Sequence, residues 1–194
     1  MASKQKYKWA YNIFHEISKG LYKSRNFLFP INNQKYQSIY KCKQTGCNFK
    51  KTSREGRKKD TIVGFYQKFP KYTQANYLTP LKKLTKFVEK SNKKKFKNNI
   101  WKLIHFDNTL DYFILHSIAA SQDNFVKNYI LIYGPNEKFY FIPWDMDMTW
   151  RHRHFESGRL MAKYDSWDFN SNQLFERILK NRRFKEKFKS RWKK

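Results

Sequence analysis

The stretch DNFVKNYILIYGPNEKFYFIPWDMD, residues 123–147, decides the fold. NYILIY and KFYFI are two runs of β-branched and aromatic residues joined by Gly134-Pro135-Asn136-Glu137, a four-residue turn by composition. Both runs are apolar at consecutive positions rather than alternating, so the hairpin should be buried on both faces. Pairing Tyr133 with Lys138 sets Asn128 opposite Pro143, with Asp145 two residues further along. Asp123 precedes the first strand by five residues. The three polar side chains therefore meet at the open end of the hairpin.

That order of residues suits phosphoryl transfer. In protein kinases a catalytic loop reads Asp, four residues, Asn; a hairpin follows, and then a metal-binding Asp. Asp123-Asn124-Phe125-Val126-Lys127-Asn128 has the Asp-to-Asn spacing, and Asp145-Met146-Asp147 follows the hairpin. Magnesium is a hard cation that takes oxygen ligands and arrives with the nucleotide phosphates. One carboxylate and one amide oxygen can hold it, while a second carboxylate orients the attacking hydroxyl. The plainer alternative keeps Asp123 as a turn or cap residue after a helix, and Asp145 and Asp147 as solvated carboxylates at a strand end.

The flanking sequence reads as helix and strand around this hairpin. Tyr7, Ala10, Tyr11, Phe14 and Ile17 share one stripe of a helix over 5–18 that Gly20 ends. Residues 21–69 are irregular and β-rich, with LYKSRNFLF and YQSIYKC as strands. KKTSREGRKKD, residues 50–60, has a single glycine, Gly56, and is no Walker loop. Helices dominate 78–121. Thr79 is the expected cap of the first and Pro80 lies in its first turn. KSNKKKFKNN reads as a solvated helix face or a connector. A helix over about Asn108–Ser121 should bury Leu110, Phe113, Ile114, Ser117 and Ile118. A C-terminal helical stretch breaks at Asn181-Arg182. The fold class is α+β, mostly helical with a central buried β-hairpin, in one domain over 1–194.

Composition bounds the partners. The 194 residues are 40% hydrophobic and 19% aromatic, which is too apolar for a disordered chain. The net charge of +27 fits an anionic partner: nucleotide, nucleic acid, acidic lipid or acidic protein. The joint excess of Lys, Asn, Ile, Phe and Tyr equally fits an AT-rich coding sequence. Nucleic-acid readers more often enrich arginine, so nucleic acid is the less favoured partner. Cys42 and Cys47 form no C-x-x-C motif; they read first as free thiols, with a disulfide between them as the alternative. No apolar run spans a membrane, and no secretion signal opens the sequence. His105, His116, His152 and His154 are weak metal candidates, with His116 better suited to packing or hydrogen bonding.

The segment 123–150 closely resembles the CotH family of spore-coat-type atypical kinases. Asp123, Asn128-Tyr129 and above all Pro143-Trp144-Asp145-Met146-Asp147 with Thr149-Trp150 carry the likeness. Gly20-Leu21-Tyr22-Lys23, the helical segment from Leu81 to Ser121 and LFERILKNRRFKEKF extend it over nearly the whole chain. The resemblance implies a protein-kinase-like C-lobe that phosphorylates serines of coat proteins with ATP and Mg2+, in the cytoplasm or the spore coat. By position, Asp123 would be the catalytic aspartate, Asn128 and Asp145 metal ligands, and Asp147 a supporting acid. Lys127 and Arg151 would meet phosphate or substrate; Arg151 stands where the family usually has glycine. The family's strands, nucleotide-facing lysine and hinge would precede Gly20, so the chain reads as a C-lobe with little N-lobe. A non-catalytic coat protein and a basic nucleic-acid-binding module are the alternatives.

Overall fold

The computed structural model describes residues 38–42, 47–49, 61–62, 64–70, 72–73, 75–121, 123–146 and 172–193. The expected helix over 5–18, the stretch 20–23 and the basic loop 50–60 lie outside them. The strands are β1 (Ser38–Cys42), β2 (Thr61–Ile62), β3 (Phe65–Phe69), β4 (Tyr129–Gly134) and β5 (Lys138–Pro143). The helices are α1 (Leu78–Lys90), α2 (Lys93–Leu103), α3 (Phe106–Ile118), α4 (Asp123–Val126), α5 (Gln173–Leu179) and α6 (Arg182–Trp192). The class is α+β, as the sequence indicates.

The hairpin β4–β5 is one flank of a larger antiparallel sheet in the order β2-β3-β1-β4-β5. The strand expected in the YQSIYKC run is present, and it joins the hairpin to the rest of the sheet. Strand β1, from the YQSIYKC run, lies against β4, with Tyr40 opposite Leu131. The register also differs from expectation by one residue: Gly134 pairs with Lys138, and Tyr129 with Pro143. The cause is the turn. Pro135–Glu137 is a single 3-10 turn of three residues, with Asn136 and Glu137 in the left-handed region at φ 60° and 55°. Asn tolerates that region better than most residues; Glu does not.

The two sheet faces bury different sets. Tyr40, Tyr129, Leu131, Phe139 and Phe141 pack with the helices in the main core. Ile39, Ile130, Ile132 and Ile142 form a second buried cluster on the other face. Both faces of β4 are thus apolar and buried, as its unbroken apolar run requires. Phe175 of α5 is the hub of the main core. Its ring lies 5.3–6.0 Å from those of Tyr112, Phe113, Phe125, Tyr129 and Phe141. Helices, loop and sheet are held together through that ring.

The helices differ from expectation at their ends and faces. Thr79 lies inside α1, whose N-cap is Tyr77 without a side-chain cap; the Asn76 Oδ1, one residue earlier, accepts from the Leu78 N–H at 3.1 Å. KKKFKNN is helical and largely exposed, with Phe96 turned inward beneath the Arg177 guanidinium at 4.0 Å. The Arg177 guanidinium also donates to the carbonyls of Val88, Ser91 and Asn92 and so ties the α1–α2 junction to α5. On α3 the buried stripe is Thr109, Leu110, Tyr112, Phe113 and His116, while Ile118 is 54% exposed. Polar Tyr112 and His116 face inward because they bond to the loop that follows. The break at Asn181 is a cap: its Oδ1 accepts from the Phe184 N–H.

The free edge of β5 is closed by the α2–α3 junction. The His105 N–H donates to the Phe139 carbonyl at 2.9 Å. The Asn108 side chain then imitates a strand: it accepts from the Phe141 N–H at 2.7 Å and donates to the Phe141 carbonyl at 3.1 Å. Removing it leaves both groups of a buried residue unpaired. Asn108→Ala should therefore lower the unfolding free energy by about 2–4 kcal/mol, read as a reduced urea midpoint with unchanged slope.

Candidate active site

The loop carrying Asp123 is launched by the end of α3. Ala120 takes a left-handed φ of 51°, and the Ser121 N–H bonds back to the His116 carbonyl at 3.1 Å. This is a Schellman-type ending with alanine where glycine is usual. Two further bonds pin the loop to α3: His116 Nδ1 to Ser121 Oγ at 2.5 Å, and the Tyr112 hydroxyl to the Asn124 carbonyl. His116 is buried among Tyr112 and Phe125, and burial lowers its pKa to about 3. The imidazole is neutral, a structural group rather than a metal ligand, as the sequence suggests for it. His105 likewise serves structure: its Nδ1 accepts from the Asn108 N–H, and its ring stacks on Tyr140.

Asp123 opens the single turn α4, and its carbonyl accepts from the Lys127 and Asn128 N–H groups at 2.8 and 3.1 Å. Next to it, Asn124 is buried and spends both amide hydrogens across the hairpin end. Its Nδ2 donates to the Asn128 carbonyl at 2.5 Å and to the Trp144 carbonyl at 2.8 Å. Asn128 Nδ2 then donates to the Asp145 carbonyl at 3.3 Å. Asp145 itself sits at φ 56°, a conformation costing about 1 kcal/mol or more for a residue with a Cβ. Its carboxylate is exposed beside the hairpin end.

The structure thus brings Asp123, Asn128 and Asp145 to one end of the hairpin, even with the register shifted. It also adds Lys127, whose ammonium meets the Asp123 carboxylate at 2.9 Å across one helical turn. Both groups remain about a third exposed, so the pair contributes little to stability and its charges stay available. Asp147, Trp150, Arg151, His152 and His154 lie outside the described residues. Sequence spacing missed Asn124, Tyr112, Ser121 and Lys41. Asn124 carries no spacing signal of its own, since its side-chain partners are backbone carbonyls, and Ser121 is recognisable only through its bond to the His116 ring.

Behind the loop, the Cys47 sulfur lies 3.4 Å from the Val126 carbonyl oxygen. The buried Tyr129 hydroxyl donates to the Cys47 carbonyl and accepts from Asn172. Cys42 and Cys47 are joined as a disulfide, their Cα atoms 5.4 Å apart, within the normal span. The expectation of free thiols is corrected: the end of β1 and residue 47 are brought together by contacts far away in sequence.

Among the described residues no group of three or more His, Cys, Asp or Glu could hold a metal. Among the described residues the oxygen donors at the hairpin end are the carboxylates of Asp123 and Asp145 and the Asn128 amide. With Nδ2 of Asn128 committed to the Asp145 carbonyl, its Oδ1 is the atom left to accept. That sparse oxygen set fits a cation that keeps its waters and arrives with phosphates, and does not fit zinc.

The family model described as CotH kinase protein matches residues 3–194. The chain belongs to the CotH kinase family. No curated protein matches it significantly. Membership in the CotH kinase family implies a kinase-type class of chemistry, which uses a nucleotide and a divalent metal. No described helix is long and apolar enough to cross a membrane.

His116 supplies a test of how the loop is anchored. Native His116 stays neutral down to about pH 3, whereas an unfolded histidine takes a proton near pH 6.5. The unfolded state binds the extra proton between those values. Stability is therefore lost as pH falls below about 6.5, by up to about 1.4 kcal/mol per pH unit from this group. Replacing it by His116→Gln should flatten the acid side of the urea-midpoint profile relative to wild type.

Proposed function

We propose that this chain is a protein-kinase-like C-lobe that transfers the γ-phosphate of ATP to serine of a spore coat-type protein. The observation that supports it best is the convergence of Asp123, Lys127, Asn128 and the left-handed Asp145 at one tied hairpin end. Family membership supports the reaction class.

The roles follow from exposure and neighbours. Asp123 is the carboxylate that accepts a hydrogen bond from the substrate hydroxyl and aims it at the phosphorus. Lys127, one helical turn on, balances the Asp123 charge and faces the transferred phosphoryl oxygens. Asp145 and the Asn128 amide oxygen would hold Mg2+, with Asp147 as a supporting acid and Arg151 as a further phosphate contact. Magnesium, when bound with ATP, supplies charge neutralisation at the phosphates. Because phosphoryl transfer depends on positioning and electrostatics, the rigid backing from Asn124 matters as much as the charged groups. The working place implied by the family is the spore coat or the cytoplasm where coat proteins are made.

Asp123→Asn and Asp145→Asn should each reduce magnesium-dependent transfer from radiolabelled ATP to a serine-rich coat protein by about 100-fold or more. Lys127→Ala should cost about tenfold. Transfer that is unchanged in both aspartate variants would reject the enzyme reading and leave a non-catalytic coat protein.

A further inference from the structure

The sheet face opposite the helices carries charge as well as isoleucines. Lys41 of β1 stands opposite Tyr66 of β3 and Ile130 of β4. Its ammonium lies over the Trp144 ring, 4.2 Å from the centroid. Two residues beyond Tyr66, the Lys68 ammonium lies over the Tyr66 ring at 4.9 Å. A bulge between Ile39 and Tyr40 in the β1–β3 pairing places Lys68 beside this row. Lysine and aromatic ring therefore alternate from Lys68 through Tyr66 and Lys41 to Trp144, and the next residue is Asp145.

We propose that Lys41 and Lys68 form a phosphate subsite that receives the polyphosphate of the nucleotide beside Asp145. The idea rests on the reading of Asp145 as the metal-holding acid, and it adds two cations beside that acid. Each ammonium is oriented by an aromatic face, which attracts the cation without neutralising it. Burial, and then the neighbouring Lys68 charge, hold the Lys41 ammonium below the ordinary lysine range, while Asp145 pulls the other way. Two like charges on one half-buried patch repel, and a polyanion between them relieves that repulsion. Among the described residues the exposed lysines of α2 show no such aromatic support.

The test uses wild-type protein first. Lysines are acetylated with an N-hydroxysuccinimide ester, with and without magnesium ATP, and separately with metal-free sodium tripolyphosphate. Mass spectrometry then compares Lys41 and Lys68 with Lys94 and Lys97 of α2. Both probes should protect Lys41 and Lys68 by about fivefold or more at ligand well above Kd, and leave the α2 lysines unchanged. In calorimetry, Lys41→Met should weaken magnesium ATP binding about tenfold or more, and Lys41→Arg should keep most of it. Should Lys41→Met fail to fold, the wild-type protection pattern decides. Protection of neither lysine by either probe overturns the subsite. If magnesium ATP binds and Asp145→Asn abolishes that binding, but Lys41 and Lys68 are neither protected nor needed, the subsite is wrong and the kinase reading stands. If tripolyphosphate protects the pair while magnesium ATP does not bind, the assignment of the pair to the nucleotide and the role given to Asp145 both fail.

Discussion

One buried amide controls the geometry of this site. Asn124 Nδ2 holds the Asn128 and Trp144 carbonyls together, and those two residues flank the open end of the hairpin. A buried amide has few alternative partners, and leaving it or either carbonyl unpaired costs about 1–3 kcal/mol each. The loop with Asp123 and the strand exit with Asp145 are therefore held at a fixed separation by the fold itself. Tyr112 fixes the other side of Asn124 by bonding its carbonyl. The charged groups need no mutual attraction to stay in place, and their carboxylates remain open to solvent and ligand.

Stability and function use different sides of the same elements. The helix-facing side of the sheet is an aromatic core with Phe175 at its hub, and burial there keeps Tyr40 and Tyr129 protonated by raising their phenols. The opposite side has a small isoleucine cluster rimmed by Lys41 and Trp144. The hairpin end is where both sides meet. Left-handed residues stand there and at the loop's launch, Asp145 and Ala120, as well as at the far turn of the hairpin, Asn136 and Glu137. Residues with a Cβ hold that conformation only where surrounding contacts over-determine it.

The hairpin was legible because its strands are apolar without interruption, and the site because Asp123, Asn128 and Asp145 have spacings that survive a one-residue register error. That error came from the turn: composition cannot say whether Pro135-Asn136-Glu137 or a four-residue loop closes the hairpin. The α3 face was misjudged for a different reason. Ile118 is apolar yet exposed, and His116 is polar yet buried, because Ser121 and the loop backbone give His116 and Tyr112 their partners. Helical periodicity counts side chains and does not see such long-range bonds. The same blindness hid how β1 pairs with the hairpin and where Lys41 lies, although the strand itself was legible.

The central claim is that Asp123, Asn128 and Asp145 surround a single metal-nucleotide position. It is tested most directly by paramagnetic broadening of amide NMR signals on titrating Mn2+ with ADP into isotope-labelled protein. Broadening that begins together at Asp123, Asn128 and Asp145, reaches Lys41 next and spares the α2 lysines is the expected result. Broadening that leaves those three signals sharp, or that begins elsewhere, would contradict the account.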